Sequence, residues 1–218
     1  MGVTLLALSL PQNHGHELSR SHMTPLFTSS FQEILFWVVF LGGFSVPLLY
    51  FARWSTRNAP STRAKPRRDA STFTNLAIIP AVAVAIWAGY ARVGPLLARW
   101  TFYPGLVMFA AGMALTTWAY HTLGTNFSLE VQVQRHHTVV DAGPYRILRH
   151  PGYTGVLFGM IGLGLALQSW VALVLLLLVS TAALAYRTRI EEQFLVAELG
   201  DDYVRYMART RRVIPFVW

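Results

Sequence analysis

What this chain can fold into is limited first by five apolar runs, at about Phe31–Ala52, Leu76–Ala91, Phe102–Tyr120, Tyr153–Leu167 and Trp170–Tyr186. A membrane-spanning helix needs roughly 17–25 mainly apolar residues, so the second, fourth and fifth runs lie at or just under the lower limit. The fourth and fifth are separated only by Gln168 and Ser169, which predicts a tight helical hairpin. Backbone polar groups inside lipid need internal partners, so the expected form of every run is a helix. The expected fold is therefore an all-α integral membrane protein of five transmembrane helices. Only 13% of residues are charged, against roughly 25% in soluble domains.

The arginines orient this bundle. Arg53, Arg57, Arg63, Lys65, Arg67 and Arg68 follow the first run. Arg135, Arg146 and Arg149 precede the fourth, and Arg187, Arg189, Arg205, Arg209, Arg211 and Arg212 follow the core of the fifth. The opposite side holds only Arg20, Arg92 and Arg99. Basic short loops stay cytoplasmic, so the expected N-terminus is outside and the C-terminus cytoplasmic. This distribution also turns the net charge of +8 away from nucleic acid and toward topology and anionic headgroups.

Three regions follow. Residues 1–30 read as a peripheral extension, unless translation begins at Met23; "GVTLLALSL" is too short to span and lacks the basic start of a secretory signal. Residues 31–120 carry three helices and a basic cytoplasmic loop. Residues 121–218 form the expected cofactor-binding catalytic region. There, His121–Gly152 is a long connection of the kind that usually carries function. Its "SLEVQVQRHHTVV" alternates enough for short extended pieces. In "DAGPY", Gly143 permits a positive φ and Pro144 fixes the next residue. Pro151 suits a first helical position.

Past the fifth run, Arg187 and Glu191 are four apart and share a helix face. Gly200 is read as a helix C-cap and Asp201 as the N-cap of a short helix carrying Tyr203 and Tyr206. These tyrosines, with Arg209, Arg211 and Arg212, read as interfacial anchors and fold-closing contacts. Gly155 and Gly159 form a GxxxG pair, followed by Gly162 and Gly164, expected to pack the fourth helix closely on the fifth. The chain has no cysteine, which removes thiolate metal sites and cysteine nucleophiles. His14 and His16 read as tail filler, and His121, His136, His137 and His150 lack ligand spacing, so no metal is expected.

"NF" at 126–127, "HTVV" at 137–140, "GPYRILRHPGYTG" at 143–155, "RTRIEE" at 187–192, "GDDYVRYMAR" at 200–209 and "IPF" at 214–216 occur in this order. Together they resemble the isoprenylcysteine carboxyl methyltransferase family in its short bacterial form, over roughly residues 120–218. The resemblance implies S-adenosylmethionine as cofactor, held in a cytoplasm-facing pocket in the bacterial inner membrane. It implies cofactor contacts from Gln132, His137, Thr138, Val139, Val140, Tyr145, His150, Pro151, Gly152, Tyr153 and Glu191, with Arg187 facing the substrate.

The chemistry of these residues is compatible with that assignment. A carboxylate accepts from the cofactor's ammonium or ribose hydroxyls, and irregular backbone binds adenine edges. In-line methyl transfer is driven mainly by proximity and water exclusion. The expected acceptor is a small lipophilic molecule from the bilayer, a carboxylate before a thiol, phenol or amine. Membrane lipids are expected partners, and neither nucleic acid nor an obligate protein partner is called for. Two further classes stay open: an NADPH-dependent membrane reductase of the sterol type, which shares an Arg-His-Pro elbow, and a non-catalytic membrane scaffold.

Overall fold

The computed structural model describes residues 26–57, 69–95, 99–124 and 139–213. Its six α-helices are α1 (Ser30–Arg57), α2 (Asp69–Tyr90), α3 (Phe102–Leu123), α4 (Pro151–Ala166), α5 (Trp170–Leu199) and α6 (Asp201–Arg209). Four of them, α1, α2, α3 and α5, contain stretches long and apolar enough to cross a membrane. α4 is shorter, at 16 residues. The helices outrun the apolar sequence that predicts them: α2 spans 22 residues and α5 spans 30. Helical hydrogen bonding continues wherever the backbone can satisfy itself, whether or not the side chains are apolar. Pro47 and Pro80 lie inside α1 and α2, as membrane helices tolerate.

The helices alternate in direction. At one end, Tyr90 of α2 donates to Glu33 and accepts from Trp37 of α1, both at 3.1 Å. Gln32 of α1 donates to Tyr103 of α3 there. Ser169 makes the turn from α4 to α5 at the same end. Its hydroxyl donates to the Val93 carbonyl (2.6 Å) and accepts from the Ala172 N–H (3.1 Å), capping α5. The three-residue connector Leu167–Ser169 needs a positive φ at Gln168, +51°. The expected α4–α5 hairpin is therefore present. α4 lies between α3 and α5, α5 also packs on α2, and α1 packs on α3. A phenylalanine ladder, Phe36, Phe40, Phe44 and Phe109, with successive ring centroids 5.0–5.7 Å apart, joins α1 to α3.

The glycine face of α4 does not do what its spacing predicts. It meets α3, not α5. A Cβ on Gly112 would stand 2.5 Å from both Gly155 O and Gly159 N, and one on Gly162 would stand 2.7 Å from Gly105 O. α3 supplies Gly105 and Gly112 on the facing side, so two bare backbones touch. The corresponding stretch of α5 is leucine-rich and holds α4 farther off. Only Gly164 opens toward α5, against Leu173. Thr116 of α3 closes the seam by donating to Gly112 O (3.0 Å) and Gly152 O (3.1 Å). Such small-residue seams are how membrane helices gain dispersion contact where no hydrophobic driving force remains.

The α5–α6 junction differs from expectation in one detail. Gly200, φ +55°, caps both helices: its N–H donates to Val196 O, and its own carbonyl accepts from Tyr203 and Val204. Asp201 is thus the first residue of α6 and not its cap. A two-helix break within one residue requires the left-handed backbone that glycine alone adopts without strain.

Gly112→Ala should therefore lower the thermal unfolding midpoint in detergent by an amount equivalent to about 1–3 kcal/mol, the usual cost of overpacking. Gly42→Ala, where a Cβ meets nothing within 4 Å, should leave the midpoint unchanged or raised. Equal midpoints for the two variants would remove the seam from the account.

Candidate functional site

At the other end of the bundle, the chain re-enters α4 through an irregular elbow. Gly143, φ +53°, opens a 3-10 turn over Gly143–Arg146, and the Leu148 N–H returns to Pro144 O (3.1 Å). Leu148 then bridges to Arg211, and His150, with φ −127°, lies outside the helical region, as a residue before proline is pushed to do. Pro151 starts α4 as expected. An irregular segment at the edge of lipid leaves its N–H and C=O groups needing partners.

The tail after α6 supplies them. Arg149 N donates to Arg211 O (2.7 Å), His150 N to Arg212 O (3.1 Å) and Arg211 N to Ile147 O (2.9 Å). The Tyr206 hydroxyl donates to Tyr145 O (2.8 Å) and also lies 3.3 Å from Leu148 O. Thr154 of α4 donates to Val213 O. Tyr206 and Arg212 are thus fold-closing contacts, while Arg211 holds the elbow through its backbone with an exposed side chain.

Around this frame lies a buried cluster of charge. Glu191 Oε1 accepts from the Tyr153 hydroxyl (2.5 Å) and from Arg187 Nε (3.0 Å). Its Oε2 stands 3.6 Å from His150 Nδ1. The Arg187 guanidinium lies over the Tyr153 ring, 5.3 Å from its centre, and the His150 ring stacks on Tyr153 at 5.5 Å. Glu192 points the other way around α5. It accepts from Arg149 Nε (2.8 Å), pairs with Arg212 Nη2 (2.5 Å) and lies 3.4 Å from His150 Nε2. The side chains of Arg187 and Glu192 are 6% and 5% exposed, and that of Glu191 is 17% exposed. Charges so placed persist only when paired.

Burial pushes the Tyr145 phenol well above its ordinary range, reinforced by the nearby Tyr120, Tyr206 and Glu191. Burial raises the Tyr203 phenol too, with Glu192 adding to the effect. Both stay protonated at neutral pH.

The structure brings Tyr145, His150, Pro151, Gly152, Tyr153, Glu191 and Arg187 to one end of the bundle. A Cβ on Gly152 would press on the Tyr120 ring at 3.2 Å, so this glycine lets α4 approach α3. Val139 and Val140 are half-buried, next to Asp141, whose carboxylate pairs with Arg209 of α6 at 2.7 Å. Gln132, His137 and Thr138 lie outside the described residues, as do the expected extended pieces of 128–138, "IPF", and most of the basic loop. Sequence reasoning missed Glu192, Arg149 and Tyr120. For Glu192 the signal was the doubled acid of "RTRIEE": two adjacent acids on one helix point about 100° apart, so the second reaches arginines that the first does not. Among the described residues, no group of three or more His, Asp or Glu could hold a metal ion.

A family model described as "Phospholipid methyltransferase" matches residues 100–202. Over 120 residues the chain is 32% identical to protein-S-isoprenylcysteine O-methyltransferase B of Arabidopsis thaliana, covering 54% of this chain and 61% of that protein. The Saccharomyces cerevisiae protein-S-isoprenylcysteine O-methyltransferase is 31% identical over 115 residues, 52% of this chain and 48% of its own. The human enzyme of that name is 32% identical over 120 residues, 54% of this chain and 42% of its own. The matched stretch thus spans about half the length of these relatives. A solved eukaryotic intramembrane Ras methyltransferase, isoprenylcysteine carboxyl methyltransferase, superposes with a TM-score of 0.56, covering 84% of this chain and 68% of that one at 23% identity. That likeness establishes a common fold. All of the cluster except Arg212 lies within residues 100–202.

Tyr206→Phe should cost about 1–3 kcal/mol of stability, because it leaves buried elbow carbonyls without their donor. Denaturation of the purified variant in detergent, set against the parent protein, measures this. A difference below about 0.5 kcal/mol, the scale of an ordinary surface change, would show that the elbow holds without α6.

Proposed function

We propose that the chain belongs, through its C-terminal half, to the isoprenylcysteine carboxyl methyltransferase family, and that it is an integral membrane enzyme transferring a methyl group from S-adenosylmethionine to a small lipophilic acceptor. A carboxylate is the favoured acceptor class, ahead of a thiol, phenol or amine. The observation that carries this reading is the Arg187–Glu191 pair, held against Tyr153 and His150 within the stretch matched by methyltransferase relatives.

The residues present suit the cofactor. S-adenosylmethionine supplies an electrophilic methyl on a sulfonium, together with an ammonium, a carboxylate, ribose hydroxyls and an adenine. Glu191, partly open where its neighbours are closed, suits a cationic or hydroxyl-bearing group. The backbone leading from Val139 into the elbow offers donors and acceptors. Arg187 is a fixed cation that can pair an anionic acceptor through its planar fork. Its seat over Tyr153 and its bond to Glu191 set its direction in advance. Such preorganisation is most of what an in-line displacement asks of a protein. An ionised acceptor needs no base.

Helix lengths support a position at the membrane edge. At 1.5 Å per residue, Trp170 to Arg187 spans about 26 Å, close to a hydrocarbon core of roughly 30 Å. The exposed Trp170 suits one interface, and the cluster then falls near the other. The elbow's end of the bundle is also the end at which α1 stops and α2 starts, on either side of the Arg-rich stretch of the sequence, and the end that holds Arg209, Arg211 and Arg212. By the rule that basic short loops stay inside, we take it to face the cytoplasm of a bacterial inner membrane.

Calorimetry in detergent tests the reading: S-adenosylhomocysteine should bind and NADPH should not, and labelled S-adenosylmethionine should mark a product in total lipid extract. Glu191→Gln should weaken S-adenosylhomocysteine binding by about 1.5–3 kcal/mol, the scale of a charged hydrogen bond. Arg187→Ala should weaken that binding less and methyl transfer more. Binding of NADPH alone would overturn the assignment. If Arg187→Ala lost cofactor binding as severely as Glu191→Gln, the division of roles between the two would fall.

A further inference from the structure

Glu192 has no part in the chemistry just outlined, yet it is the more deeply buried of the two adjacent acids. Its partners come from separate parts of the chain. Arg149 belongs to the elbow and Arg212 to the tail, and His150 is the last residue before α4. Arg149 also donates through Nη1 to Met207 O (2.8 Å) and Thr210 O (3.0 Å) at the end of α6. One carboxylate on α5 therefore fastens the elbow, the tail and the α6 terminus to one another.

That carboxylate is also in contact with the candidate cofactor residues. The imidazole of His150 stands between the two glutamates, with Nε2 toward Glu192 and Nδ1 toward Glu191. Its face lies on Tyr153, whose hydroxyl holds Glu191. A displacement of Arg149 or His150 thus reaches Glu191 through two routes, the imidazole edge and the tyrosine ring. Stability is a weak reason to keep such a buried ion cluster, since well-packed apolar groups often do as well. Specifying one geometry is a better one.

We propose that Glu192 is a positioning residue for methyl transfer, acting through Arg149, Arg212 and His150 to hold Glu191 and the elbow in place while touching neither cofactor nor acceptor. The proposal rests on the methyltransferase reading above.

The test uses the full chain in detergent with Glu192→Gln, Glu192→Asp, Arg212→Gln and the Glu192→Gln/Arg212→Gln double variant. Calorimetry gives the Kd and stoichiometry for S-adenosylhomocysteine, and a lipid-extract assay gives kcat and the KM for S-adenosylmethionine. Glu192→Gln should raise Kd and KM about tenfold or more at unchanged stoichiometry, since small displacements of a positioned group are costly. Glu192→Asp, which keeps the charge, should recover part of this. Arg212→Gln should shift Kd in the same direction but less, and the double variant should fall short of the sum, because both changes act on one linkage. Should Glu192→Gln not fold, Arg212→Gln, whose arginine is only half-buried, carries the comparison by itself. A fall in stoichiometry or unfolding midpoint with Kd and KM unchanged would make Glu192 structural only and overturn the proposal. Failure of the parent protein to bind S-adenosylhomocysteine would overturn the methyltransferase reading, and this proposal with it.

Discussion

A carboxylate or guanidinium taken out of water loses several kcal/mol of hydration and regains it only from close, well-directed partners. At the elbow end of this bundle two acids and three arginines are withdrawn together, around a segment of backbone that is neither helix nor sheet. Their mutual pairing makes the rest possible. Because Glu192 takes Arg149 and Arg212, the elbow can lie against α5 instead of turning out to solvent. Because the tail brings carbonyls and N–H groups to Arg149, His150 and Ile147, the elbow's own backbone is satisfied without a helix. Glu191 is then left about 100° around α5, with Arg187, Tyr153 and His150.

The shortness of α4 has a part in this geometry. Sixteen residues of helix reach about 24 Å, less than the hydrocarbon thickness of roughly 30 Å. A helix of that length cannot place both ends in water, and the elbow that feeds it is drawn inward beside the longer α3 and α5. Irregular backbone at such depth is tolerated only when buried in protein, and α6 with its tail provides that cover through Tyr206 and Arg149.

Much of this was legible in the sequence, for identifiable reasons. Apolar runs announce membrane helices because lipid demands both length and low polarity, and all five runs became helices. Gly143, Pro151 and Gly200 marked turns because their backbone preferences are intrinsic to the residue. Arg187 and Glu191 pair because four residues make just over one helical turn. What stayed hidden depends on which element comes to lie opposite. The glycines of α4 say that something packs closely; that it is α3 follows from Gly105 and Gly112, well upstream in the chain. Glu192 reads in sequence as a second copy of Glu191, and its distinct role comes from a rotation of about 100° around the helix toward a tail nothing in its neighbourhood foretells. The Asp201 cap was misplaced by one residue because Gly200 could end one helix and begin the next.

The seam between α3 and α4 has a mechanical consequence. Where side chains separate two helices, rotamer changes let them slide or tilt; where backbone rests on backbone, as at Gly112 against Gly155 and Gly159, nothing soft lies between. Relative sliding of α3 and α4 is therefore resisted by the backbone itself, on the two helices that carry Tyr120 and Tyr153. Contacts with a side chain between the backbones, as at Gly89 of α2 against Leu167, have more room to adjust.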